Sequence, residues 1–241
     1  MTDTIIWISG ASAGIGRALV ETVPYDAHII DISRSGGTPR TQHLPADLAD
    51  PASWTAVEAH FAAQLSSFAG ARAVFVHNAG TIEPMGFAGE VDSEAYHRNV
   101  LLNSAAPQAL GHAFLKAAWA FEGEAHLIML TSGAASRPYE GWSSYSAGKA
   151  AVDMWVRTTG AEQARRDSGT RVVAVTPGAV ATAMQEQIRG MDERDFPAVA
   201  KFRDLHDRGE LRNPDDAARG IWSLLERDLD NGAIIDLRNV Q

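Results

Sequence analysis

Short apolar segments alternate with longer amphipathic segments along the whole chain. The short segments are rich in β-branched and other apolar residues at consecutive positions, which indicates strands that are buried on both faces of a sheet. Strands are predicted at residues 4–9, 27–33, 72–77, 125–131 and 171–176, with shorter ones at 42–46 and 233–237. Helices are predicted near residues 15–23, 51–68, 92–122, 143–168 and 215–228.

This order of elements predicts an α/β fold of the Rossmann type, with a doubly wound parallel sheet of about seven strands and helices on both faces. Asp92 and Asn213 stand where their side chains can cap the first amides of two helices. A length of 241 residues suits one such domain, and no repeat or linker divides the chain, so a single domain is expected over 1–241. Ligands bind this fold beyond the carboxyl ends of the strands, which directs attention to the loops that follow them.

The composition excludes several classes of function. The chain has no cysteine, which rules out disulfides, thiolate metal sites and cysteine nucleophiles. Its net charge of −9 repels phosphate backbones, so nucleic-acid binding is not expected. No segment is apolar for long enough to cross a membrane, and residues 1–4 lack the features of a signal peptide. A cytoplasmic protein without a membrane partner is therefore expected, and the sequence contains no metal-binding motif.

A glycine-rich turn follows the first predicted strand and leads directly into a helix. Gly10, Gly14 and Gly16 give the spacing G-x-x-x-G-x-G, with Ser12 and Ile15 between them. Glycines here allow a tight turn and a close approach of the backbone to a pyrophosphate, and the helix N-terminus offers N–H groups to the anion. The alternative is an ordinary strand–helix turn, but the position after the first strand favours a dinucleotide site.

The loop after the second predicted strand bears on the choice of cofactor. An acid there would bind the ribose hydroxyls of NAD, whereas an arginine suits the 2′-phosphate of NADP. The strand is expected to end at Ser33 and to be followed by Arg34, which favours NADP(H). Asp31 lies two residues earlier on the same strand face, and a shift in register would make it the NAD-type acid. Arg17 is a second candidate for the phosphate, although a helix-surface role suits it better.

Tyr145 and Lys149 are spaced to share one face of a predicted helix. A phenol with a pKa of about 10 is a weak acid–base catalyst at neutral pH, and an adjacent ammonium is expected to lower that pKa. Ser132 ends a predicted strand at the same edge of the sheet, where its hydroxyl can hold a carbonyl oxygen while Tyr145 donates a proton. A tyrosine–lysine pair alone is typical of a helix surface, but together with Ser132 and the glycine turn it favours catalysis.

These motifs resemble those of the short-chain dehydrogenase/reductases in their compact single-domain form, and the resemblance covers almost the whole chain. The glycine turn matches the family's cofactor turn, and Ser132, Tyr145 and Lys149 match its catalytic positions. Other stretches match the adenine-contacting segment and the N-N-A-G motif; these residues are Asp47, Leu48, Asn78, Ala79 and Gly80.

Two further segments extend the resemblance. The family's nicotinamide-clasping segment is matched by Pro177, Gly178, Val180 and Thr182. Asn103 matches the helix asparagine that ties the active-site lysine to a water relay, and Asn99 is the other candidate for that position.

The chain departs from the family pattern at three positions. Ser9 replaces the usual threonine and keeps its hydroxyl, His77 replaces the first asparagine of N-N-A-G, and Gly148 stands where serine is frequent. None of these changes removes a catalytic group.

The resemblance implies reversible hydride transfer between a nicotinamide cofactor, NADP(H) rather than NAD(H), and a carbonyl or alcohol carbon. It implies that Tyr145 donates the proton, Ser132 binds the substrate oxygen, Lys149 holds the ribose and Asn103 positions a water. The end of the second strand and the brief C-terminus resemble the branch that contains sepiapterin and benzil reductases. That branch points to a small-molecule ketone or dicarbonyl as substrate.

The substrate side is expected between Ser132 and Tyr145 and in the segment that follows the nicotinamide clasp. Tyr139 and Trp142 are placed to stack on an aromatic ketone, although packing against the lid suits them equally, and Met184 begins a segment at 183–212 that is predicted to be a mobile lid. The mixed charge of this segment is typical of a solvated helix face.

Two other functions remain open from the sequence. One is an NAD-dependent alcohol dehydrogenase that works in the oxidative direction, which depends on Asp31. The other is a nucleotide-sensing regulatory protein without catalysis, although Tyr145 and Lys149 are both retained. The family resemblance also implies a homodimer or homotetramer paired through the helices at 92–122 and 143–168.

Overall fold

The computed structural model describes residues 3–240 and contains one sheet of seven parallel strands. The strands are β1 (Thr4–Ser9), β2 (Ala27–Ser33), β3 (Gln42–Pro45), β4 (Arg72–His77), β5 (Glu124–Leu130), β6 (Thr170–Thr176) and β7 (Ile234–Asp236). Their order is β3-β2-β1-β4-β5-β6-β7, so the direction of winding reverses between β1 and β4. This confirms the predicted single-domain, doubly wound fold and places the topological switch point beside the glycine turn.

Eight α-helices are found in the described part of the chain. They are α1 (Gly14–Thr22), α2 (Trp54–Leu65), α3 (Ser93–Val100), α4 (Ala106–Ala118), α5 (Ser143–Arg166), α6 (Ala183–Arg189), α7 (Val199–Asp207) and α8 (Pro214–Ser223). Asp92 and Asn213 cap α3 and α8, because their side-chain oxygens accept hydrogen bonds from the amides of Ala95 and Asp215, each at 2.8 Å. Both predicted helix starts are therefore confirmed.

The prediction of a single helix at 92–122 is wrong, because the structure interrupts this segment in its interior and ends it earlier. A π-helical turn at Leu101–Ala105 separates α3 from α4, and α4 ends at Ala118. Pro107 has no N–H to donate to the carbonyl of Asn103, and the backbone widens just before it.

Other predicted boundaries also shift. Pro51–Ser53 and Leu224–Glu226 form 3₁₀ turns rather than parts of α-helices, so α2 begins and α8 ends inside the predicted ranges. These tighter turns are common at helix termini. The predicted segment 183–212 contains the two short helices α6 and α7.

Apolar side chains from alternate positions of the strands fill two separate cores, one on each face of the sheet. On one face Trp7 packs edge-on against Phe61 and Phe114, with ring centroids 5.3 and 6.0 Å apart. On the other face, Trp222 of α8 donates its indole N–H to the carbonyl of Leu19 at 3.1 Å. Both cores hold the helices against the sheet and leave its carboxyl edge for the loops. None of the helices within residues 3–240 combines the length and apolarity that crossing a membrane requires.

His77 is a polar side chain enclosed by this packing. Its ring lies edge-on to Phe75 at 5.8 Å, and its Nε2 has no hydrogen-bond partner among the described residues. Burial lowers the pKa of His77 to about 3, and the positive charge of Lys149 adds to the effect. The folded protein therefore keeps this imidazole neutral.

We expect acid to destabilise the protein through His77. As the pH falls below about 6.5 the unfolded chain binds a proton on this imidazole, whereas the folded chain does not until the pH approaches 3. The free energy of unfolding should fall by about 2 kcal/mol from this group alone between roughly pH 7 and pH 5. Urea unfolding at both pH values measures this fall in the free energy of unfolding, which should be smaller by about 2 kcal/mol in His77→Asn than in wild type. Equal losses in the two proteins would contradict this account.

Candidate functional site

The glycine turn forms a cradle that leaves no room for side chains. Gly10 and Gly14 have φ angles of +69° and +53°, which favour glycine, and a Cβ on Gly16 would lie 2.1 Å from the carbonyl oxygen of Gly10. Helix α1 begins here with Ala13 at its N-cap, and no side chain caps the first amides. Backbone N–H groups at a helix N-terminus therefore face the cleft, as anion binding requires.

Polar contacts fasten the loops of β1 and β4 to each other at the switch point. The hydroxyl of Ser9 accepts hydrogen bonds from the amides of Asn78 and Ala79, each at 3.0 Å. The side-chain amide of Asn78 donates to the carbonyls of Ser9 and Gly10 at 3.0 and 3.2 Å. The hydroxyl retained at Ser9 thus holds the two loops together.

The loop after β2 presents Arg34 to the cleft and keeps Asp31 inside the protein. Ser33 ends the strand and its hydroxyl accepts a hydrogen bond from the amide of Gly36 at 3.1 Å. Asp31 is fully buried, Gly37 covers its carboxylate, and neither oxygen has a hydrogen-bond partner within residues 3–240. Arg17 pairs with Glu21 at 2.7 Å on the surface of α1, so its side chain is already engaged.

Asp47 meets an arginine that the sequence did not link to it. Arg98 of α3 donates to the carboxylate of Asp47 at 3.0 Å, and both residues line the cleft. Burial alone would raise the pKa of Asp47, but hydrogen bonds from Arg98 and from the amide of Ala49 bring it below its usual range.

Ser132, Tyr145 and Lys149 meet at the carboxyl edge of β5. Tyr145 and Lys149 lie one turn apart near the start of α5, and both are buried. The ammonium of Lys149 donates to the carbonyl of Leu130 at 2.9 Å and lies 5.8 Å from the centre of the Tyr145 ring. The hydroxyl of Ser132 accepts a hydrogen bond from the amide of Ala134 at 3.2 Å and is close enough to the Tyr145 phenol to oppose the rise in its pKa.

Desolvation dominates the electrostatics of this group. Burial raises the pKa of Tyr145, and the hydrogen bond with Ser132 opposes that rise. Burial lowers the pKa of Lys149 to about 8, while the negative charge of Asp153 opposes the change. The phenol is thus neutral and the amine largely protonated at neutral pH. The expectation that Lys149 lowers the pKa of Tyr145 is wrong for this structure, because burial raises that pKa and Ser132, not the charge of Lys149, opposes the rise.

Asn103 lies behind the cleft rather than on its wall. Its side-chain oxygen accepts from the amide of Thr81 at 3.0 Å, and its amide donates to Thr81 and to Asn99 at 2.6 and 2.9 Å. A Cβ on Gly80 would contact both the Asn103 oxygen at 3.0 Å and the Lys149 ammonium at 3.5 Å. Asn103 is therefore close to the lysine, and Asn99 reaches the cleft wall.

Aromatic rings form the opposite end of the cleft. Trp142 stacks on Phe196 with centroids 4.5 Å apart and meets the rings of Tyr145 and Tyr139 at 5.3 and 5.2 Å. Helices α6 and α7 pack over this wall and contribute Met184 and Phe202.

One continuous cleft of about 750 Å³ joins these parts. All the predicted site residues line it except Gly16, which packs against Gly10, and Asn103. Lining residues that sequence reasoning missed include Arg98, Lys201, Phe202 and Arg238. No spacing in the sequence links them to the motifs, because they reach the cleft through the packing of α3, α7 and the C-terminal segment.

A glycine-lined helix N-terminus, a buried tyrosine–lysine pair and an adjacent serine on one parallel sheet are the features of an oxidoreductase that uses a dinucleotide. The model of the short chain dehydrogenase family matches residues 4–193, and the chain belongs to that family. Its members use nicotinamide cofactors and act between carbonyl and alcohol groups.

Individual relatives agree with this assignment. The chain is 34% identical over 235 residues to a benzil reductase ((S)-benzoin forming) of Bacillus subtilis, across 96% of this chain and 97% of that protein. It is 31% identical over 115 residues to sepiapterin reductase of Rattus norvegicus, across 47% of this chain and 42% of the relative. A short chain dehydrogenase/reductase structure from Saccharomyces cerevisiae shares the fold, with a TM-score of 0.82, 22% identity, and coverage of 98% and 97% of the two chains. The predicted family and branch are confirmed.

Proposed function

We propose that the protein is an NADPH-dependent reductase of aromatic ketones or dicarbonyls, with Tyr145 as proton donor. The observation that carries this proposal is the continuity of one cleft from the glycine cradle, past Tyr145 and Lys149, to a wall of aromatic rings. The identity of 34% with a benzil reductase over nearly the whole chain supports the same substrate class.

The residues at the glycine end fit a nicotinamide dinucleotide. The backbone cradle at Gly10 and Gly16 suits the pyrophosphate, Asp47 suits the exocyclic amine of adenine, and the loop from Pro177 to Thr182 suits the nicotinamide. When bound, the cofactor supplies the hydride for the carbonyl carbon.

The protein's own groups handle the oxygen and its proton. Ser132 holds the carbonyl oxygen by a hydrogen bond, and the Tyr145 hydroxyl gives its proton as the oxygen becomes an alkoxide. Burial keeps that proton on Tyr145 until it is needed, because it raises the pKa of the phenol. Lys149 supplies positive charge beside the site and holds the ribose, while Asn103, behind Gly80, positions the water that replaces the proton.

Arg34 favours NADPH over NADH, because its guanidinium lines the cleft where the 2′-phosphate would lie. The alternative NAD-dependent alcohol dehydrogenase needs an acid at the ribose, and the buried position of Asp31 argues against that role. A regulatory protein without catalysis is also disfavoured, since Tyr145 and Lys149 both line the cleft.

Residues 183–212 form the lid of the substrate end in this proposal. Helices α6 and α7 cover the aromatic wall and contact one another more than they contact the sheet. We place the activity in the cytoplasm, where the pool of reduced nicotinamide cofactor is available to a carbonyl reductase.

A second copy of the chain is proposed to cover an outer groove between α4 and α5. This groove of about 790 Å³ is lined by Leu115, Trp119, Met154 and Trp155, among others. Trp119 and Met154 are 66% and 61% exposed, which is unusual for large apolar side chains. A two-fold pairing of this face gives a homodimer, and a second such pairing elsewhere gives a homotetramer.

Replacing Tyr145 by phenylalanine should lower kcat for benzil reduction by roughly 10²- to 10⁴-fold, because the general acid is lost. Cofactor affinity, measured by fluorescence titration, should change little. Tyr96→Phe is the control, since this tyrosine contacts Ser143 outside the cleft and should retain the wild-type rate. A Tyr145→Phe enzyme with wild-type kcat would overturn the assigned role.

Replacing Arg34 by serine should weaken NADPH binding by about tenfold or more and leave NADH binding unchanged, because only NADPH carries the 2′-phosphate. Titration of the intrinsic tryptophan fluorescence with each cofactor measures both affinities. Arg219→Ser removes an equal charge from α8, outside the cleft, and should leave both affinities as they are. Equal weakening for NADPH and NADH in Arg34→Ser would refute the phosphate contact.

The oligomer should dissociate when a charge enters the outer groove. Met154→Glu places a carboxylate on the exposed apolar face of α5, and sedimentation analysis should show a lower oligomeric state than wild type. Phe87→Glu, at an exposed apolar site outside the groove, should not. A wild-type protein that sediments as a monomer would contradict the proposed pairing.

A further inference from the structure

Lys201 stands on the lid helix α7 at the aromatic end of the cleft. Its ammonium donates a hydrogen bond to the phenol oxygen of Tyr139 at 2.7 Å and lies 5.1 Å above the centre of that ring. The same ammonium lies 5.7 Å from the ring of Phe202. All three residues line the cleft that holds Tyr145, so this charge belongs to the substrate end.

The neighbouring cation at this end of the cleft already has a carboxylate partner. Arg238 binds both carboxylate oxygens of Asp236, at 2.9 and 3.1 Å from its Nε. Glu83 accepts a hydrogen bond from Gln187 at 3.4 Å. Lys201 forms no ion pair with any residue in the described range 3–240, so its charge is balanced only by a neutral phenol and two ring faces.

The aromatic wall leads from Lys201 to the proposed proton donor. The ammonium is 5.1 Å from the Tyr139 ring, that ring is 5.2 Å from Trp142, and Trp142 is 5.3 Å from Tyr145. These contacts form a continuous series of rings between the Lys201 ammonium and Tyr145. An aromatic substrate that lies against this wall would have its reacting carbonyl at Tyr145 and a remote group near Lys201.

We infer that Lys201 and Tyr139 form a subsite for an anionic oxygen, and that the preferred substrates are aryl ketones or diketones with a carboxylate remote from the reacting carbonyl. The Lys201 ammonium has three N–H donors, and only one of them binds the Tyr139 oxygen. The O–H of Tyr139 also stays available as a donor, because its oxygen is the acceptor in that hydrogen bond. Both donors can therefore point at one carboxylate, in a charge-assisted hydrogen bond with Lys201. This inference rests on the proposed reductase function.

Because the chain has a net negative charge, a preference for an anionic substrate would indicate a local positive charge in the cleft. With a formal charge of −9, the protein as a whole repels an anion, so non-specific electrostatics favour a neutral ester over the acid. A preference for the acid thus requires a local cation at the subsite. Since Lys201 is exposed at the rim of the cleft, the expected preference is modest.

The test compares benzil that carries a 4-carboxylate with its methyl ester, using the NADPH-loaded enzyme. Wild type should show a kcat/KM about tenfold higher for the acid, mainly through KM, because the contact is remote from the reacting bond. Lys201→Met should reduce the ratio of the two kcat/KM values to about one, and Lys201→Arg should keep much of the preference. The ratio cancels any general loss of activity in a variant.

Arg194→Met is the matched control, because this arginine also lies in the lid segment but pairs with Asp192 outside the cleft. It should keep the wild-type ratio and rates. Equal kcat/KM values for the ester and the acid in wild type, with the same ratio in Lys201→Met, would overturn the subsite. The reductase proposal would stand, and the contact of Lys201 with Tyr139 would then only stabilise the packing of α7. Reduction of neither compound overturns both.

Discussion

The approach of Gly16 to the carbonyl of Gly10 is the contact on which the cofactor end of the site depends. Any side chain at Gly16 would collide with that carbonyl and with the amide of Asn78. Because α1 can begin so close to β1, its first amides face the cleft, and Asn78 can bridge the two central loops. The tight turn, the anion cradle and the link between β1 and β4 therefore all require that residue 16 has no Cβ.

Burial of polar groups is the second constraint, and it is what gives the site its chemistry. Tyr145 and Lys149 are held in a desolvated position, where each is driven toward its neutral form. Ser132 and Asp153 oppose that tendency, one for each group. The result is a phenol that keeps its proton and an amine that retains its charge at neutral pH, which is the protonation state that the proposed role of Tyr145 as proton donor requires.

The sequence was informative where local chemistry decides the outcome. The sequence predicts the buried strands, the helix caps at Asp92 and Asn213 and the glycine turn, because each of these features depends on residues that are close together in the chain. The contacts of Arg98 with Asp47 and of Lys201 with Tyr139 are not, since they join residues 51 and 62 positions apart. The π-helical turn before Pro107 was not predicted, because the amphipathic pattern of the sequence continues through it.

That widened turn has a consequence for comparing this chain with others. A π-helical turn is equivalent to one inserted residue, and in an α-helix one residue corresponds to a rotation of about 100°. A relative that lacks the insertion would need a gap within Leu101–Ala105 for its helix to be aligned correctly. Without that gap, every position upstream, including Arg98 and Asn99, would be matched to a residue on the wrong face.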